Sequence, residues 1–128
     1  QDIAETAIPL GANTHKDGSV IGGVLKITFL FGLFGQDMMS MSAIASILIV
    51  SFLVGAVMGA IPGGGMMGEM LILSVYGFSP EVLPIIAVIS TIIDAPATVL
   101  NSTGNTVCSM MVARLVEGKD WLKNKISN

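Results

Sequence analysis

Apolar residues run along this chain in long blocks separated by short polar or glycine-rich breaks. A helix needs about 20 apolar residues, at about 1.5 Å rise each, to cross a bilayer. The block from Val20 to Gly35 falls slightly short of that, and Lys26 interrupts it. A shorter apolar piece, Ile3 to Ala12, precedes it. Between them lies Asn13-Thr14-His15-Lys16-Asp17-Gly18-Ser19. In a soluble protein that patch would be a surface loop. In a membrane it predicts a helix unwound in its middle, because irregular backbone survives there only where it lines protein or a water-filled cavity.

The block from Met41 to Ile61 is long and uncharged, and it stops at Ile61-Pro62-Gly63-Gly64-Gly65. Proline lacks a donor and glycine tolerates positive φ, so a helix stop and a tight turn are expected. Met66 to Tyr76 is too short to span. A long helix, a Pro-Gly tip and a short return predict a re-entrant hairpin rather than two spans. Gly77-Phe78-Ser79-Pro80-Glu81 is a further break, with proline near a helix start. A last block runs from Val82 to about Val116. The expected fold is therefore all-α and multi-pass: a broken transmembrane helix (1–36), a re-entrant helical hairpin (39–76), a final transmembrane helix (80–116) and a polar tail (117–128).

Composition supports lipid as the solvent. Of 128 residues, 52% are hydrophobic and 12% charged, against about 25% charged in soluble domains. The formal net charge of −3 gives no argument for nucleic acid. The chain opens on Gln1, in helix-like sequence with no signal-peptide pattern, and is expected to be a piece of a longer protein. Cys108 is the only cysteine, which excludes an internal disulfide and fits a small packing residue. Arg114, Lys119, Lys123 and Lys125 cluster past the last block, so the positive-inside rule predicts a cytoplasmic C-terminus. Trp121 suits an interfacial anchor or packs on the domain.

Asp94 carries the sharpest chemical signal, since it lies deep in an apolar run. An ionisable residue inside a membrane is expensive and marks a functional site by default. Thr98, Asn101 and Asn105 follow at spacings that place them on one helix face with Asp94. The competing reading is interhelical hydrogen bonding, which suits Thr103 and Thr106 better than Asp94. At the first break, Asp17 is a cation ligand or ion-pair partner, or it caps a helix together with Ser19. His15 is a proton relay or a hydrogen-bonded structural histidine. As the lone histidine, it leaves no set for a catalytic transition metal. The Pro-Gly tip offers free backbone amides, but Gly63 to Gly68 is no phosphate loop, because no Lys-Ser/Thr follows. Met66, Met67 and Met70 fill gaps, and the spacing assigns Glu69 no role. With no nucleophile–base pair and no metal set, the chain is not expected to be an enzyme.

Three of these motifs occur in this order in one family. The chain resembles the dicarboxylate/amino acid:cation symporters, the glutamate transporter homologues. Pro9-Leu10-Gly11-Ala12 followed by His15-Lys16-Asp17-Gly18-Ser19 is similar to the family's Pro-x-Gly-Ala and Asn-Met-Asp-Gly-Thr in its broken helix. Ile61-Pro62-Gly63-Gly64-Gly65 is similar to its hairpin tip. Asp94-Ala95-Pro96-Ala97-Thr98-Val99-Leu100-Asn101-Ser102-Thr103-Gly104-Asn105 is similar to Asp-x-x-Arg-Thr-x-x-Asn-x-Thr-Gly-Asp.

The resemblance implies the C-terminal part of a transport domain, with the first hairpin and upstream helices lying outside this chain. It implies that Asp94 receives the substrate amino group, and that Thr98, Asn101, Ser19 and the tip backbone from Ile61 to Gly65 complete the substrate site. Ala97 takes the place of the arginine that pairs with a side-chain carboxylate. It also implies one sodium site from Gly11, His15, Asn101 and Asn105, a second using carbonyls at Asn13 and the tip, and a third involving Asp17 and Ser19. The substitutions His15, Lys16 and Asn105 are expected to weaken sodium coupling, leaving Na+ or H+ as the coupling ion and no other cofactor. The expected function is secondary active symport of a small amino acid or dicarboxylate across the inner membrane by a homotrimer. The alternative is a divergent relative acting as a channel-like or regulatory membrane protein.

Overall fold

The computed structural model describes residues 2–60 and 62–126. They form α1 (Asp2–Thr14), α2 (Asp17–Leu33), α3 (Met41–Ala60), α4 (Gly64–Tyr76), a 3-10 turn (Pro80–Val82), α5 (Leu83–Glu117) and α6 (Trp121–Ile126). No strand occurs among the described residues. Two stretches, Met41–Gly59 and Pro80–Glu117, are long and apolar enough to cross a membrane. Large apolar side chains such as Ile49, Phe52, Ile92 and Leu115 stand exposed on them. Contiguous apolar surface of this kind calls for lipid or protein cover.

The break between α1 and α2 is narrower than the sequence suggests, because only His15 and Lys16 leave helical geometry. Asn13 and Thr14 stay in α1, where their side chains donate back to the carbonyls of Pro9 (3.1 Å) and Leu10 (2.9 Å). This back-bonding is a common local option for such residues. Neither Asp17 nor Ser19 caps α2. The cap position is Lys16, and no side chain of its own bonds there.

Glycines set the packing distances. At Gly18 an added Cβ would run into the backbone of Ala97, and at Gly22 into Ile93, so α2 and α5 touch nearly backbone to backbone. Gly64 and Gly68 press α4 in the same way onto α3 at Val57, Met58 and Val54. Gly55 and Gly59 seat α3 against Val20 and Lys16 at the break. Each pair is spaced i, i+4, the arrangement that lets membrane helices approach closely. The turn into α4 depends on Gly63 at φ 74°, a left-handed value that favours glycine. Gly64→Leu is expected to push α4 off α3 and cost about 1–3 kcal/mol of stability, read as a lowered melting temperature of the full-length protein in detergent.

The core gathers Ile27, Leu30 and Phe31 of α2, Val50 and Val54 of α3, Ile72 and Leu73 of α4, and Ile86 of α5. Phe31 meets Tyr76 edge-on at 4.9 Å between ring centres, and Phe34 stacks on Phe78 at 5.0 Å. These rings tie the ends of α2 and α4 together, far from the break. In the loop before α3, the Met39 amide donates to Asp37 at 2.9 Å and holds that carboxyl below its ordinary range. Trp121 is half-buried in a groove against Ile3, Ile8 and Ala113, so it packs on α1 and α5.

Candidate functional site

Where α2 and the tip at Gly65 face α5, they enclose a cavity of ≈150 Å³. Asp94, Ala97, Thr98 and Asn101 line it from α5, Ser19 from the first turn of α2, and Gly65 from the start of α4. These are the sequence-predicted substrate residues, apart from Ile61, which lies outside the described residues. The polar stripe of α5 thus meets the end of the broken helix, as the shared helix face requires.

Asn101 organises this meeting. Its Oδ1 accepts from the Gly18 amide at 2.9 Å, and its Nδ2 donates to Ser19 Oγ at 3.1 Å. It supplies from another helix the acceptor that the first turn of α2 lacks, since the first amides of a helix have no partner within it. The close approach allowed by Gly18 makes that bond possible. Asp94 is exposed to the cavity and has no hydrogen-bond or ion-pair partner among the described residues. The sequence places it deep in an apolar block.

Among the lining residues not anticipated, Gly18, Gly22 and Ile93 belong to the contact of α2 with α5, and three more come from other positions. Met58 of α3 and Ser90 of α5 close two sides. Lys26 of α2, only 1% exposed, forms the third. Its Nζ lies 3.5 Å from Glu69 Oε1, and Ser90 Oγ donates to the same oxygen. One buried ion pair therefore joins α2, α4 and α5. At 3.5 Å and an effective dielectric near 20, the attraction is about 5 kcal/mol before desolvation.

The residues predicted to hold cations distribute around the break. His15 and Asp17 face each other at 3.7 Å between Nε2 and Oδ2. Together with Asn13 they line a second cavity against Phe52 and Ala56. Gly104 passes so close that an added Cβ would meet both His15 and Asp17. Asn105 packs on Gly11 and donates to the Ile8 carbonyl at 3.1 Å, while its Oδ1 is buried without a partner. The Gly11 carbonyl accepts from His15 N at 2.7 Å. Asn101 sits apart from these, in the first cavity. Lys16 runs along α3 at Gly59 and pairs with neither Asp17 nor Asp94. No group of three or more His, Cys, Asp or Glu gathers for a metal among the described residues.

Comparison with known proteins decides the family. The profile of the Sodium:dicarboxylate symporter family matches residues 1–115. The chain belongs to the sodium:dicarboxylate symporter family. The chain is 29% identical over 112 residues to the proton/sodium-glutamate symport protein of Bacillus subtilis (strain 168), covering 88% of this chain and 26% of that relative. It is 30% identical over 112 residues to the protein of the same name from Bacillus caldotenax, with the same coverage. The chain spans about a quarter of the length of these curated relatives. No solved structure matches it. Family membership groups the chain with symporters rather than with enzymes.

Proposed function

We propose that this chain builds the solute site of a secondary transporter that moves a small amino acid or dicarboxylate together with Na+ or H+. The observation that carries this reading is the convergence of Ser19, Gly65, Asp94, Ala97, Thr98 and Asn101 on one cavity, from three segments far apart in sequence. In this reading α1 and α2 form one broken membrane helix, α3 and α4 a re-entrant hairpin, and α5 the last span. Residues 1–116 are then the C-terminal part of a transport domain. The tail from 117 to 128, with its lysines, faces the cytoplasm from the inner membrane. The working protein is a homotrimer that includes upstream segments of the sort that fill out its relatives.

The site binds its solute through Asp94, with Thr98, Asn101, Ser19 and the tip backbone around it. Ala97 brings no guanidinium fork, so a side-chain carboxylate is not gripped in bidentate fashion by α5. Cations enter as cargo around the break, drawn by Asp17, the carbonyls near Gly11 and Asn13, the side chains of His15 and Asn101, and the unpartnered Oδ1 of Asn105. Sodium binding is weak, because Asn105 contributes no formal charge.

Uptake by the full-length protein in proteoliposomes tests this reading. A panel of amino acids and dicarboxylates is offered under an imposed Na+ gradient, then under an imposed pH gradient. Accumulation driven by either gradient is expected, along with counterflow of the accumulated solute. Absence of both across the panel contradicts the reading and leaves a channel-like or regulatory protein. Strict dependence on Na+ with no response to pH contradicts the weakened coupling alone. Asn105→Asp is expected to lower the Na+ concentration for half-maximal uptake by about tenfold or more, since it adds a charge beside the proposed ion.

A further inference from the structure

Carbonyls at the ends of α1 and α3 lack the amides that a continuing helix would supply. In a helix the carbonyl of one residue accepts from the amide four residues on. For Met58, in the last turn of α3, that residue is Pro62, which has no N–H. For Thr14 it is Gly18, whose amide goes to Asn101 instead. For Asn13 it is Asp17, across the break, where the helical pattern stops. The two ends meet at Gly59. The Asn13 carbonyl oxygen lies 3.0 Å from where a Cβ at Gly59 would sit, and Lys16 Cε lies 2.5 Å from the same point. The end of the Lys16 side chain therefore lies where the two helices finish. Each helix C-terminus carries about half a negative charge, so the two together hold about one. Lys16 is half-buried and has no side-chain partner among the described residues. Asp17, its neighbour in sequence, faces His15. At the start of α2, where Lys16 holds the cap position, Asn101 and Asp17 supply the acceptor and the negative charge. The ammonium is turned from that positive end toward α3.

We propose that the Lys16 ammonium is a built-in cation for the carbonyl ends of α1 and α3, joining the broken helix to the hairpin so that this point takes no cargo ion. This rests on the transporter reading above and narrows its cation part. A mobile cation here would meet a like charge, at a cost of about 4 kcal/mol at 4 Å and an effective dielectric near 20. Cargo is left to the residues around Gly11, Asp17 and Asn105. A tethered charge also costs less to hold than a free ion, because its position is set by the fold before any solute arrives. Gly59 is part of the device: any side chain there would displace the Lys16 stem and press on the Asn13 carbonyl. Lys16 thus positions the break against the hairpin and sets how many ions the protein needs, without contacting the solute.

The test follows the melting temperature of full-length protein in detergent as Na+ is raised, with choline chloride holding the ionic strength constant. The dependence on the logarithm of Na+ concentration counts the ions that the folded state holds, and it needs no knowledge of the solute. Lys16→Met keeps the stem and removes the charge. It is expected to melt below wild type in choline chloride, to respond to Na+ more steeply by about one ion, and to rejoin wild type at high Na+. Lys16→Arg keeps the charge and is expected to follow wild type throughout. Lys16→Gln, uncharged but polar, replaces the methionine variant if that does not fold, with the same expectation. A merely structural lysine would lower the melting temperature by the same amount at every Na+ concentration. Parallel or coincident curves for Lys16→Met and wild type overturn the proposal, as does Lys16→Arg behaving like Lys16→Met. The solute-site reading is judged apart from this, by uptake of the panel above, and stands or falls there whatever the Na+ curves show.

Discussion

Asp94→Asn is expected to abolish uptake of any solute that carries an amine. The substitution keeps the size and removes the one unpaired carboxylate that lines the cavity among the described residues. An amine about 4 Å from that carboxylate gains about 4 kcal/mol at an effective dielectric near 20, which corresponds to about a thousandfold in affinity. Because Asp94 supports no other side chain, folding should survive the change, and thermal unfolding in detergent should match wild type. Normal uptake of an amine-bearing solute by the variant would remove Asp94 from binding.

Gly18→Val is expected to have an effect of similar size by a different route. A Cβ at this position runs into the main chain of Ala97, which cannot swing aside as a side-chain tip can. The helices must separate. The Gly18 amide then loses Asn101 Oδ1, and Ser19 loses Asn101 Nδ2. Overpacking costs about 1–3 kcal/mol, and the lost cap adds about 1 kcal/mol. A lower melting temperature and loss of uptake are expected together. Gly32→Ala is the control, since nothing but the flexible end of Met38 lies near an added Cβ there. A Gly18→Val protein as stable and active as wild type would show that the cavity does not need this close approach.

Much of this architecture was legible in the chain because it rests on local chemistry. The Pro62-Gly63 turn follows from a missing donor and a left-handed glycine. The polar patch at His15 announces a break, and the spacing of Asp94, Thr98 and Asn101 fixes a shared face. The extent of the break was not legible. It depends on Asn13 and Thr14 bonding back into α1 and on Asn101 capping α2 from a distant helix.

The partnership of Lys26 and Glu69 was hidden for the same reason. Each reads alone as a charge interrupting an apolar run, and only the packing of α4 on α2 and α5 makes them a pair. Lys16 reads in the chain only as a charge at the break, yet Gly59 leaves a groove on α3 that takes its stem. The i, i+4 glycines at 18 and 22, 55 and 59, and 64 and 68 were the readable signal for these contacts. They mark which helix faces come together.

The central claim is that solute binds between α2, the tip at Gly65 and α5. A structure of the full-length protein in lipid nanodiscs, with a saturating transported solute, tests it most directly. Solute density is expected within hydrogen-bonding distance of Asp94, bounded by Ser19, Gly65 and Thr98. Density elsewhere, such as the groove between α1, α5 and Trp121, with the Asp94 cavity holding no solute, would contradict it.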